Sequence, residues 1–78
     1  MSFMFEVYYA GPTDALREAR IIDEELKLGG QLDCREPSNG MTGNCLTFDF
    51  ADEQTAQKAA AHISRHGEHV EGPYDYGD

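Results

Sequence analysis

The sequence predicts an α+β domain whose strands and helices follow one another in the order β-α-β-β-α-β. Two segments, residues 3–9 and 45–50, alternate apolar and polar side chains with the period of a half-buried strand. Two other segments carry apolar residues at helical spacing behind a capping aspartate, Asp14 or Asp52. The chain has 78 residues, the size of a single domain covering residues 1–78.

The first half of the chain is predicted to form a strand, a helix and a second strand. In FMFEVYY, residues 3–9, Met4, Glu6 and Tyr8 alternate with the inward set Phe3, Phe5, Val7 and Tyr9. The helix begins at Thr13 or Asp14, ends at Gly29-Gly30, and is predicted to bury the stripe Ala15, Ala19, Ile22 and Leu26. Ile21 and Leu28 lie outside that stripe, either as a contact patch for another subunit or as ordinary exposed residues.

The second half is predicted to form a strand, a helix and a last strand. QLDCR, residues 31–35, is the second strand and leads through the loop EPSNGMTGN to CLTFDF, residues 45–50. In CLTFDF the predicted core residues are Leu46, Phe48 and Phe50, and the outward residues are Cys45, Thr47 and Asp49. Asp52 caps a helix with the apolar stripe Ala56, Ala59, Ala60 and Ile63, and a strand around EHVEGPY follows Gly67.

This order of elements is typical of the split, ferredoxin-like sandwich, in which two helices cover one face of a four-stranded antiparallel sheet. The alternative is another α+β sheet order built from the same elements, including one completed by a second chain. The last residues, 74–78, are expected either to form a frayed tail or to contact a partner through Tyr74 and Tyr76.

The charge balance restricts the kind of partner. Fifteen acidic residues and six basic ones give a formal net charge of −9, which disfavours direct binding to nucleic-acid phosphates or to anionic membranes. The start of the chain, MSFMFEVYY, lacks the basic residues and apolar run of a signal peptide, and no apolar stretch approaches the roughly 20 residues that span a bilayer. We therefore expect a soluble, cytoplasmic protein.

The segment GNCLTFDFADEQTAQKAA, Gly43 to Ala60, is similar to the third strand and second helix of RNA-recognition domains. Those domains present aromatic side chains on the open sheet face, where bases stack, and carry a basic residue before the motif's glycine. Here the outward residues are Cys45, Thr47 and Asp49, and Thr42 precedes Gly43. Direct RNA binding is therefore not expected.

The same alternation predicts one outward carboxylate on each strand: Glu6, Asp33, Asp49 and Glu71. Arg35 and His69 are the only cations expected among them, so this face should present negative potential to a basic partner. An ordinary wet sheet face is the alternative. Tyrosines are favoured at interfaces, and Tyr8, Tyr74 and Tyr76 are the candidate aromatic contacts.

The cysteines and histidines provide no catalytic or metal motif. Cys34 is predicted to point inward and Cys45 outward, which disfavours a disulfide. The spacing H-x3-H-x2-H at His62, His66 and His69 could bring two imidazoles to a metal, but no CxxC or HExxH accompanies it. Cationic side chains near a helix C-terminus are the alternative interpretation. No metal, cofactor or catalytic residue is predicted.

The functional prediction is a non-enzymatic acidic protein that occupies a basic, nucleic-acid-binding surface on a larger protein. In size and acidity the chain resembles small phage-encoded inhibitors of host defence, anti-CRISPR proteins among them. That resemblance implies nucleic-acid mimicry, with carboxylates taking the place of phosphates. The alternative is a homodimeric ferredoxin-like module that binds a small ligand or a metal.

Overall fold

The computed structural model describes residues 2–37 and 43–75, and its elements confirm the predicted β-α-β-β-α-β order. The sheet has four strands in the order β2-β3-β1-β4, with every neighbouring pair antiparallel, as in the ferredoxin-like fold. The elements are β1 (Phe3–Tyr9), α1 (Ala15–Lys27), β2 (Gln31–Glu36), β3 (Asn44–Phe50), α2 (Glu53–Arg65) and β4 (His69–Asp75).

The first helix begins at Asp14, one of its two predicted caps, and the second begins at the predicted Asp52. The Asp14 carboxylate accepts a hydrogen bond from the Arg17 backbone N–H at 3.1 Å, and Asp52 accepts one from the Thr55 N–H at 2.8 Å. Each bond satisfies a backbone donor that the first helical turn leaves without a partner. Residues 38–42 of the predicted loop and residues 76–78 of the predicted tail lie outside the described residues, whereas Tyr74 and Asp75 belong to β4.

The core lies between the inner face of the sheet and the helices. The Phe5 ring lies 5.9 Å from that of Phe48 and 5.4 Å from that of Phe50. The predicted stripe of α2 is confirmed, because all four of its members are buried against these rings: Ala56, Ala59, Ala60 and Ile63. The alternation predicted for β1 and β3 is confirmed as well.

The helix α1 forms where the sequence predicts it, but the prediction of its buried face is wrong. Its buried residues are Glu18, Ile21 and Glu25, and Ile22 packs against the core only in part. Leu26 is 51% exposed, and Ala15 and Ala19 are exposed as well. Ile21, proposed as a contact for another subunit, is 2% exposed and belongs to the core, whereas Leu28 is exposed. The face of α1 that is buried is therefore rotated by about one residue position from the face that carries the predicted apolar stripe.

A β-bulge in β2 places a cation against the observed buried face of α1. Leu32 lies opposite Phe48 and Cys34 lies opposite Thr47, so Asp33 is an extra residue in the strand. Beyond the bulge the alternation is reversed, and Arg35 lies on the helix side opposite Leu46. There the Arg35 guanidinium contacts Glu18 Oε1 at 2.6 Å, and the Tyr9 hydroxyl donates a hydrogen bond to the other oxygen of Glu18. These polar contacts favour the observed rotation of α1.

Removal of this ion pair should lower stability measurably. We expect Arg35→Met to reduce the free energy of unfolding by about 2 kcal/mol, since Glu18 would remain buried without its cation. The value is below the roughly 3–5 kcal/mol of a fully buried pair because Arg35 is half-exposed. The control is Lys27→Met, which removes an exposed pair with Asp23 and should cost less than about 0.5 kcal/mol. Urea unfolding measures both, and equal losses would contradict the prediction.

Candidate functional site

The candidate site is the sheet face that the helices leave uncovered, called the open face below. Its outward positions are occupied by Met4, Glu6 and Tyr8 of β1, Gln31, Cys34 and Glu36 of β2, Cys45, Thr47 and Asp49 of β3, and His69, Glu71 and Tyr74 of β4. The core residues of every strand point the other way, toward α1 and α2.

Strand pairing places the carboxylates of the open face close to one another. Glu6 lies directly opposite Glu71, a position in which Cβ atoms are about 4.5–5.5 Å apart. Asp49 lies on the neighbouring strand, diagonal to Glu6, at about 7–8 Å. Asp33 is exposed at the bulge. The four predicted acids therefore lie on or beside this face.

The bulge makes the open face more acidic than the sequence predicts. Glu36, predicted to begin the loop after the strand, belongs to β2 and is an outward residue opposite Cys45. Arg35, predicted to be outward, lies on the helix side and contacts Glu18. No feature of the sequence around residues 31–36 indicates a bulge. The outward position of Glu36 and the inward position of Arg35 could therefore not be predicted.

None of the six lysine and arginine residues lies on the open face. Arg17 binds Glu68 at 2.6 Å, and Lys27 binds Asp23 at 3.0 Å, both on the helical layer. The others are Arg20 on α1, Arg35 on the inner side of β2, and Lys58 and Arg65 on α2. Among the described residues, the basic side chain on this face is His69, whose Nε2 lies 2.6 Å from Glu71 Oε2.

Two titratable groups at the centre of the face have raised pKa values. Burial raises the pKa of the Cys45 thiol, and the nearby charges of Glu6 and Glu36 raise it further. Burial likewise raises the pKa of Tyr8 above its ordinary value, with additional effects of Cys45 and Glu6. The Cys45 thiol therefore stays protonated at neutral pH, which disfavours nucleophilic catalysis by this residue.

The two cysteines lie on the same face, so the prediction that Cys34 points inward is wrong. Its cause is again the bulge, which places Cys34 opposite Thr47. Cys34 is exposed, whereas Cys45 is buried, and both thiols are free.

Two of the three tyrosines predicted to contact a partner lie on the open face. The Tyr8 ring lies 6.1 Å from the His69 ring, and Tyr74 lies opposite Met4 with 46% of its surface exposed. Tyr76 lies outside the described residues. On β1 and β3, Tyr8 is the one aromatic residue that faces outward, in agreement with the orientation predicted for Cys45, Thr47 and Asp49.

No protein-family model, curated protein or solved structure matches the chain. Over residues 2–37 and 43–75, neither helix is both long and apolar enough to cross a bilayer. The chemistry of the open face is therefore the basis for assigning a function.

Proposed function

We propose that this chain is a non-enzymatic binding protein whose open face occupies a basic, nucleic-acid-binding surface on a larger protein. The observation that carries the proposal is charge segregation. Glu6, Glu36, Asp49 and Glu71 share the open face, with Asp33 beside them, whereas every lysine and arginine lies elsewhere. A surface of this kind attracts a lysine- and arginine-rich partner and repels other anions.

The recognition mechanism is substitution of carboxylates for phosphates. Arginine forms paired hydrogen bonds to either anion, so a surface built to bind a nucleic-acid backbone also accepts closely spaced carboxylates. The rigid sheet holds Glu6, Asp49 and Glu71 at separations set by strand pairing, so little conformational entropy is lost on binding. Tyr8 and Tyr74 add apolar area beside these charges.

The arrangement of the face opposes folding, which supports a role in binding. Like charges directly opposite each other, as in the Glu6 and Glu71 pair, destabilise a sheet. Asp49 Oδ1 is buried and has no hydrogen-bond partner among the described residues. Natural proteins retain such unfavourable features mainly at functional sites. A basic partner would relieve the repulsion between these acids.

The same charges disfavour the alternative of a homodimer formed through the sheet. Two copies of the open face would bring their acidic residues together. A dimer through Ile21 is excluded, since that side chain is buried in the core. Small acidic inhibitors encoded by phages, such as anti-CRISPR proteins, remain the functional class that fits this proposal.

Affinity capture tests the function. The immobilised chain is exposed to an extract of its native host, and the retained proteins are eluted either with a salt gradient or with duplex DNA. We expect a nucleic-acid-binding protein that elutes with both, because salt screens the charges and DNA competes for the same surface. A partner that binds DNA and the immobilised chain at the same time would contradict competition at one surface.

A further inference from the structure

Three side chains of residue types that can bind metals lie close together on the side of the molecule opposite the open face. Glu24 belongs to α1, whereas His62 lies in the last turn of α2 and His66 directly follows that helix. The Nε2 atom of His62 lies 3.4 Å from Glu24 Oε2, and the two imidazole rings are 4.5 Å apart. One ligand atom from each residue can be chosen so that all three lie within 4.8 Å of one another.

We propose that Glu24, His62 and His66 form a binding site for a divalent transition metal, with zinc as the metal that fits best. Two imidazoles and one carboxylate are an established donor set for zinc, with a fourth position left for water. Donor atoms of a tetrahedral zinc centre with bonds of about 2.1 Å are roughly 3.4 Å apart. The spacing between Glu24 and His62 already has this value.

Only a small change in side-chain geometry is needed for the three donor atoms to bind one ion. His66 is exposed, so rotation of its side chain can bring a ring nitrogen closer to the other two donors without disturbing the core. Glu24 and His62 are about one-third exposed, which leaves an entry path for a hydrated ion. A cavity of about 180 Å³ borders Glu24 and His66 and has room for a metal-bound water.

The third ligand of this site is one that the histidine spacing could not indicate. His69 follows His66 closely in sequence, but it lies on the open face and contacts Glu71. Glu24 takes its place from a different helix. A bound metal would therefore join α1 to α2 and stabilise their packing. This site is independent of the function proposed for the open face.

Zinc titration of chelator-treated protein provides the test, followed by calorimetry and by thermal unfolding. We expect one zinc ion per chain and a rise in Tm of at least about 5 °C at zinc concentrations near 100 times Kd. Co²⁺ should give the visible absorption of a low-symmetry, four-coordinate site. Glu24→Gln, His62→Asn and His66→Asn should each weaken zinc binding at least tenfold.

The matched control is His69→Asn, which removes one histidine from the other face and should leave zinc binding unchanged. His66 is exposed, so His66→Asn tests the site even if a change at Glu24 or His62 impairs folding. A variant with lysine at Glu6 and Glu71 should bind zinc like the wild type, which separates this proposal from the proposed function. Absence of zinc binding, or loss of binding only in His69→Asn, would overturn the assignment.

Discussion

Replacement of Glu6, Asp33, Asp49 and Glu71 by lysine is expected to abolish capture of the partner and to leave the fold intact. Each substitution replaces a negative charge by a positive one, so the four together change the formal net charge from −9 to −1. All four residues are exposed or only partly buried and lie outside the hydrophobic core. The reversed face would repel the basic surface that it is proposed to bind. Capture assays measure the loss, and circular dichroism confirms the fold.

Two double variants distinguish an effect of the open face on capture from an effect of the overall net charge. Glu6→Lys with Glu71→Lys changes the open face, whereas Asp23→Lys with Glu53→Lys makes the same change in net charge on the helices. We expect the first pair to weaken capture at least tenfold and the second pair to weaken it by less than about twofold, since screening limits the effect of distant charges. Unchanged capture by the folded quadruple variant would discard the open face as the binding surface.

The stability of the wild type is expected to fall as the pH rises from about 4.5 to 8, because of Glu25. This side chain is fully buried on α1, and neither carboxylate oxygen has a hydrogen-bond partner within residues 2–37 and 43–75. Burial, with a smaller contribution from the charge of Glu24, raises the pKa of Glu25 to about 8. In the unfolded chain the group would titrate near its ordinary value of 4.5. Glu25 is therefore largely protonated in the folded protein at neutral pH.

The direction of this dependence of stability on pH follows from proton linkage. Between these two pKa values the folded state holds a proton that the unfolded state has released, so rising pH favours unfolding. The stabilising effect of the bound proton is fully present below pH 4.5 and is lost as the pH approaches about 8. The expected slope is roughly 1.4 kcal/mol per pH unit, and the total change is on the order of 5 kcal/mol.

Urea unfolding of the wild type and of Glu25→Gln from pH 5 to 9, in the presence of a chelator, measures this effect. Glutamine has the same shape but does not titrate, so the difference in unfolding free energy between the two proteins should change with the expected slope. The exposed residue Glu53 supplies the control, because Glu53→Gln should follow the wild-type curve closely. Parallel curves for the wild type and Glu25→Gln would show that Glu25 does not titrate in this range.

Much of the candidate site could be predicted from strand alternation. Glu6, Asp49 and Glu71 lie where the period of two places them, because β1, β3 and the first part of β4 pair regularly. Arg35 could not be assigned correctly, since it follows the bulge at Asp33, and Glu36 extends the strand one residue into the predicted loop. A single extra residue reverses the direction of every side chain beyond it until the strand ends.

The two helices also differ in whether the sequence predicts their buried faces. For α2 the four apolar residues of the predicted stripe share one face of the helix, so its buried face follows from the sequence. For α1 the apolar residues Leu16 and Leu26 are exposed, and two glutamates are buried instead. The hydrogen bonds from Tyr9 and Arg35 to Glu18 favour this rotation, and both donors come from other segments of the chain.

The sequence by itself determined the order of elements, the helix starts at Asp14 and Asp52, the inner faces of β1 and β3, and the excess of negative charge. The charge is a sum over the whole chain, and each of the other features depends on residues that are close together in the sequence. The tertiary structure alone decided the removal of Arg35 from the open face, the burial of Glu25, and the meeting of Glu24 with His62 and His66. These features depend on strand register and on the rotation of one helix against the sheet, which contacts between distant segments determine.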